Sequence, residues 1–122
     1  MSPKESIRLD LSKTGASSAQ QLELFAFLNL GLVQSLASGT LSASEAIERF
    51  YHADNCLYVQ KHLRNREARQ IMGHGVQLPD LFDSLEPEEA QREFYHELEK
   101  MRSLCLTLLE KHRTEDAVEP MS

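Results

Sequence analysis

Over most of this chain, apolar residues recur every three or four positions, the spacing of one face of a helix. From about Ser18 to Ala37 the stripe is Leu22, Phe25, Asn29, Leu32, Val33 and Leu36, widened by Leu24, Leu28 and Leu30. Ser17 or Ser18 can cap this helix, and Gly39 stands where a helix end favours a residue that accepts positive φ. The polar side is narrow (Gln20, Glu23, Gln34, Ser38, with Gly31 beside them), and Phe27 falls on it. So broad an apolar surface predicts a helix that is central in the domain or packed against a second chain. Ser42-Ala43-Ser44-Glu45 then has the capping-box spacing, in which each side chain reaches the other's free backbone N–H. Ala43, Ala46, Ile47, Phe50 and Tyr51 follow on one face, and Asp54-Asn55 predicts a break. Cys56 to Leu63 continues as helix, burying Leu57, Leu63 and either Val59 or the stem of Gln60.

Asn65 is positioned to cap a short helix over Arg66–Met72, with Ala68, Ile71 and Met72 inward. Gly73 reads as its end, and Gly73 to Leu81, with Gly75 and Pro79, reads as irregular backbone. Leu81, Phe82 and Leu85 suggest a single turn before Pro87 opens the last helix, where a missing N–H costs nothing. That helix is expected to reach about His112, with Ala90, Phe94, Leu98, Met101, Cys105, Leu108 and Leu109 inward. Strand signals are confined to a weak alternation of Ile7, Leu9 and Leu11 near the N-terminus, read as disorder or as an extended arm lying on the domain. The expected fold is all-α: an irregular bundle of four to six helices with a long C-terminal helix. Residues 1–17 are expected as a flexible tail, 18–113 as one helical domain and 114–122 as a frayed end.

With 122 residues the chain can bury one core without staples. Tryptophan is absent, so leucine must build that core, with Phe25, Phe50, Phe82 and Phe94 as candidate anchors. The net charge is −6, and residues 86–119 hold ten acidic against five basic side chains. Binding to nucleic acid or an anionic membrane is driven by positive charge, so neither is an expected partner. Cys56 and Cys105 lie far apart in apolar helical settings, which predicts free thiols in a reducing, cytoplasmic compartment. Met1–Ser18 has no apolar run of the secretory kind, and Leu22–Leu36 is too short and too polar to span a bilayer.

Catalytic signatures are few. No two of the histidines His52, His62, His74, His96 and His112 have the four-residue spacing that seats zinc on a helix, and no metal or cofactor site is expected. Glu45/Glu48 and Asp80/Asp83 are not the paired helical carboxylates that hold magnesium in all-α pyrophosphatases, since Glu45 already serves the capping box. No serine sits in a nucleophile elbow, and the glycines lack the strand and lysine of a phosphate loop. His74, between Gly73 and Gly75, is either a loop-borne base or ligand with Asp80 and Asp83, or a solvent-facing residue next to a helix end; the second reading is preferred. Lys61, Arg64, Arg66 and Arg69 form a basic cluster, expected to pair with the acidic last helix or to stay solvated. Asn29 lies on the face that should be most buried, where an amide must find partners. The expected partner is the backbone of Gly73–Leu78; an Asn–Asn contact across a two-fold is the alternative.

Residues 25–110 resemble a family of small bacterial proteins of unknown function. The resemblance rests on Leu30-Gly31-Leu32, on Ser38-Gly39-Thr40-Leu41-Ser42 leading into Glu45-Ala46, and on Ile71, Gly75 and Leu78 ahead of Asp80 and the long last helix. It departs near Gln77 and Pro79, where such proteins carry a glutamate. The resemblance implies a helical fold and no activity. The wide apolar face of the first helix, with Phe27 on its polar side, motivates the expected function: a non-enzymatic protein–protein interaction module, as homodimer or small subunit, with Phe27, Asn29, Gly73, His74, Gly75, Asp80 and Asp83 as candidate interaction or loop residues. The alternatives are an acidic partner of a basic protein, in the manner of immunity proteins or antitoxins, and a metal-dependent hydrolase near His74, Asp80 and Asp83.

Overall fold

Short polar side chains start the helices. Ser17 and Gln20 form a capping box at the head of α1 (Ser18–Ala37), and Ser42 and Glu45 form another at α2 (Ala43–Arg49). His52 caps α3 (Ala53–Tyr58) through its Nδ1, which accepts from the Asn55 amide at 3.4 Å. A π-helical turn, Val59–Leu63, extends α3 and ends at Arg64, whose φ of 48° lets the chain turn into the Asn65 cap of α4 (Arg66–Ser84). Pro87 opens α5 (Pro87–Val118) after a two-residue connection. Gly39, at φ 81°, follows α1. The computed structural model describes residues 8–13 and 17–118, and among them all regular structure is helical. Ile7 and residues 119–122 lie outside the described residues.

The spine is α5. It lies against α1 on one side and α4 on the other. Both neighbours run antiparallel to it, as the pairs Ala37–Tyr95, Glu67–Lys111 and His74–Glu97 show. Phe25, Phe50, Ile71, Leu78, Phe94 and Met101 are among the residues that fill the core, with α2, α3 and the π turn closing it over α1 and α4. Phe82 and Leu57, expected inside, are exposed. The last helix continues six residues beyond His112, to Val118.

The largest correction concerns residues 73–81. They are not irregular: α4 passes unbroken through Gly73, Gly75 and Pro79 to Ser84, and it absorbs Leu81 and Phe82. The reason is tertiary packing. A methyl group on Gly75 would sit 2.5–2.7 Å from three ring carbons of Tyr51. The glycine is there to receive a buried ring, not to end a helix. It is also the residue four before Pro79, the one whose carbonyl loses its helical hydrogen bond and meets the proline ring. Apolar burial repays these local defects, since Ala68, Ile71, Met72, Gly75 and Leu78 all face the core.

Asn29 is also corrected. It does not reach the backbone of Gly73–Leu78. Its amide nitrogen donates to the Phe25 carbonyl at 2.9 Å, and its oxygen accepts from the Tyr51 hydroxyl at 2.5 Å. Tyr51 thus spans the core, with its hydroxyl bound on α1 and its ring seated on α4.

Residues 8–13 lie on the domain and end in a 3-10 turn, Leu11–Lys13. Asn55, fully buried in α3, holds them as a neighbouring strand would. Its oxygen accepts from the Leu11 amide at 2.9 Å, and its nitrogen donates to the carbonyls of Leu9, at 2.7 Å, and Phe50, at 2.8 Å. Gln21 adds a bond to the Leu11 carbonyl while accepting from the Tyr58 hydroxyl at 2.7 Å. Leu11 is buried and Leu9 packs against the core, so the alternation near the N-terminus marks an arm lying on the domain. Among the described residues no buried side-chain nitrogen or oxygen lacks a partner.

Candidate functional site

His74 and its expected carboxylate partners do not converge. On the continuous helix α4, Asp83 is about half a turn away from His74 in direction, and Asp80 also points elsewhere. His74 turns instead to α5, where its Nδ1 meets Glu97 Oε1 at 2.6 Å and Lys100 Nζ donates to Glu97 Oε2 at 3.1 Å. Burial alone would raise the Glu97 carboxyl. The Lys100 and His74 contacts outweigh that effect and hold it below the ordinary range. The groove beside them, about 440 Å³, is lined by Gln70, His96, Glu99 and Ser103 among others. Among the described residues, no three His, Cys, Asp or Glu side chains are placed to hold a metal ion together.

The basic cluster takes the second of its two expected forms and stays solvated. Lys61, Arg64, Arg66 and Arg69 are exposed. The α4–α5 interface is instead bridged by an acid of α4: Glu67, buried, accepts from Lys111 Nζ at 2.7 Å. That hydrogen bond draws the Glu67 carboxyl below its usual value. Cys56 and Cys105 are both free thiols, Cys56 half-buried and Cys105 buried. Burial pushes both thiols up, Cys105 to about 12, which favours the protonated, unreactive form.

What the surface does offer is exposed apolar area. On the outer side of α1, Leu24 and Phe27 are 46% and 57% exposed. Leu106 of α5 is 45% exposed as well. It lies about three turns beyond Tyr95 on the same edge of α5, and Tyr95 donates its hydroxyl to the Ala37 carbonyl. The antiparallel run of α1 therefore sets Leu106 level with Ala26 and Phe27. Leu28 and Leu30, half-buried, flank Phe27 along α1, and Gly31 stands one turn on with open space where a side chain would be. Glu23 is the single charged residue of α1. Phe27 was legible in the sequence as an apolar residue on the wrong side of a helix; Leu106 was not, because only the α1–α5 packing sets it level with α1 at Phe27.

A family model described as protein of unknown function, DUF3969, matches residues 17–121, and the chain belongs to that family. No curated protein and no solved structure matches it. No helix among the described residues is long and apolar enough to cross a membrane.

Proposed function

From membership in a family without an assigned activity, and from the surface just described, we propose that the protein is a non-enzymatic interaction module that associates through the outer face of α1. The observation that carries this reading is the exposed pair Leu24 and Phe27 on α1, a helix with one charge, with Leu106 exposed on the neighbouring α5. Large apolar side chains exposed on a nearly uncharged helix suit a contact site, since contiguous apolar surface marks such sites in soluble proteins.

A second copy of the chain is the partner that fits best. Two molecules of net charge −6 repel each other, and α1 is the face on which they can meet with the fewest like charges opposed. Gly31 leaves a recess one turn from Phe27, so an isologous pair can seat each Phe27 over the partner copy's glycine. The chain then works as a homodimer, in keeping with a small cytoplasmic subunit.

The test is a concentration series of amide NMR spectra on the wild type and Phe27→Glu. Signals of Leu24, Phe27, Gly31 and Leu106 are expected to move with concentration in the wild type and to stay fixed in the variant. Shifts that map elsewhere, or none at all, would overturn the α1 assignment.

A further inference from the structure

A second apolar surface lies at the opposite end of the bundle from the Glu67–Lys111 pair. The C-terminus of α1, the start of α2, the end of α4 and the start of α5 enclose an open cavity of about 500 Å³. Leu36, Leu41, Pro79 and Phe94 contribute its apolar wall. Phe82 and Tyr95, 45% and 43% exposed, form its lips, each in ring contact with Phe94. The volume falls within the range of ligand pockets, about 300–1,000 Å³.

The chain segment that borders this cavity is acidic. Between residues 80 and 93 the chain carries Asp80, Asp83, Glu86, Glu88, Glu89 and Glu93 against Arg92 alone. Asp83 lines the cavity itself. Glu88 is about one turn before Gln91 on α5, and Glu48 about one turn after Ser44 on α2, and both Gln91 and Ser44 line the cavity. An apolar recess beside such carboxylates repels acidic competitors and steers cationic ones toward it. Because the carboxylates are spread over several helical turns, the matching charge must be spread as well. A single small cation meets only part of that field, whereas several lysines or arginines along a peptide meet it together.

We propose that this cavity is a docking site for a basic segment of another protein, in which an aliphatic or aromatic anchor enters between Phe82 and Tyr95 and flanking Lys or Arg residues face Asp83, Glu88 and Glu48. The site is separate from the α1 face, so a homodimer can carry two such sites.

A random peptide display library, panned on the full-length protein, tests this without knowledge of the natural partner. Recovered peptides are expected to combine an apolar anchor with a net positive charge. They are expected to lose about tenfold or more in affinity for Phe82→Glu, and a similar factor on going from low to moderate salt, as an electrostatically steered contact does. Phe82 is exposed, so the variant is expected to keep the fold, which far-ultraviolet circular dichroism checks. Amide shifts on binding are expected in residues 36–44 and 79–95. No enrichment, enrichment of uncharged apolar peptides, equal binding to Phe82→Glu, or shifts on the α1 face would each overturn the proposal. So would equal binding by an all-lysine peptide, which would reduce the site to unspecific charge attraction.

Discussion

The ring of Tyr51 occupies the volume that a side chain at position 75 would need: a Cβ built on Gly75 meets Tyr51 Cδ1 at 2.5 Å. Tyr51 is fully buried and pinned at its far end by Asn29, so it cannot swing aside. Gly75→Ala is therefore expected to destabilise the fold by about 1–3 kcal/mol, the range for overpacking a tight core. Gly73, two residues earlier on the same helix, has open space around it and an ordinary backbone. Gly73→Ala is expected to stabilise by roughly 0.5–1 kcal/mol through helix propensity alone. Urea denaturation of the two variants gives opposite signs if α4 is continuous. If both stabilise, or both destabilise alike, the Tyr51–Gly75 contact is not as described.

The bond from the Tyr51 hydroxyl to Asn29 links α1 to the turn between α2 and α3. Tyr51→Phe leaves a buried amide oxygen without its donor and is expected to cost about 1–3 kcal/mol. Adding Asn29→Leu removes the orphaned acceptor too, so the double variant is expected to be more stable than the sum of the single changes predicts. A double-mutant cycle with no coupling would contradict the pairing.

Asn55 holds the arm. Asn55→Ala removes its bonds to Leu9, Leu11 and Phe50 and is expected to cost about 1–3 kcal/mol. Hydrogen exchange discriminates local from global effects. The Leu11 amide should lose its protection, while amides in the middle of α5 stay slow. Unchanged protection at Leu11 would mean that other contacts suffice to seat the arm.

Stability should fall at both pH extremes, for opposite reasons. Glu67 and Glu97 have folded carboxyl pKa values held below the ordinary 4.5. Their contribution is complete above that value and is lost as the pH falls through the lower folded values. Cys105 is shifted the other way, from 9.0 to about 12, by burial. Its contribution is complete below pH 9.0 and is lost as the pH rises toward 12. Denaturation midpoints are expected to be highest between about pH 5 and 8, and Cys105→Ala should make the alkaline decline shallower. An identical alkaline limb in that variant would show that Cys105 has no part in it.

Much of the architecture can be read from residue spacing. The stripes of α1 and α5, the Ser42–Glu45 box, the Asn65 cap and the turn at Gly39 depend on neighbours close in sequence, and each stands where the pattern puts it. Residues 73–81 misled because Gly73, Gly75 and Pro79 are local stop signals, whereas the force that keeps α4 going is long-range. One sequence signal does survive: counting Gly75 as an inward position continues the stripe Ala68, Ile71, Met72 to Leu78 without a gap. The partners of Asn29, Asn55 and His74 could not be read in this way, since Tyr51, Leu9 and Glu97 are 22, 46 and 23 residues distant. Phe27 stood out because it breaks the polar side of its helix; the cavity behind Phe82 did not, because four separate segments build it.

The central claim, self-association through α1, is tested most directly by the molar mass of the full-length protein in solution, measured by light scattering behind size exclusion. The wild type is expected to have twice the mass of its 13.9 kDa chain. Phe27→Glu is expected to have the mass of one chain, with unchanged helix content. A wild type that stays at one chain over the full concentration range, or a Phe27→Glu variant that remains dimeric, would contradict it.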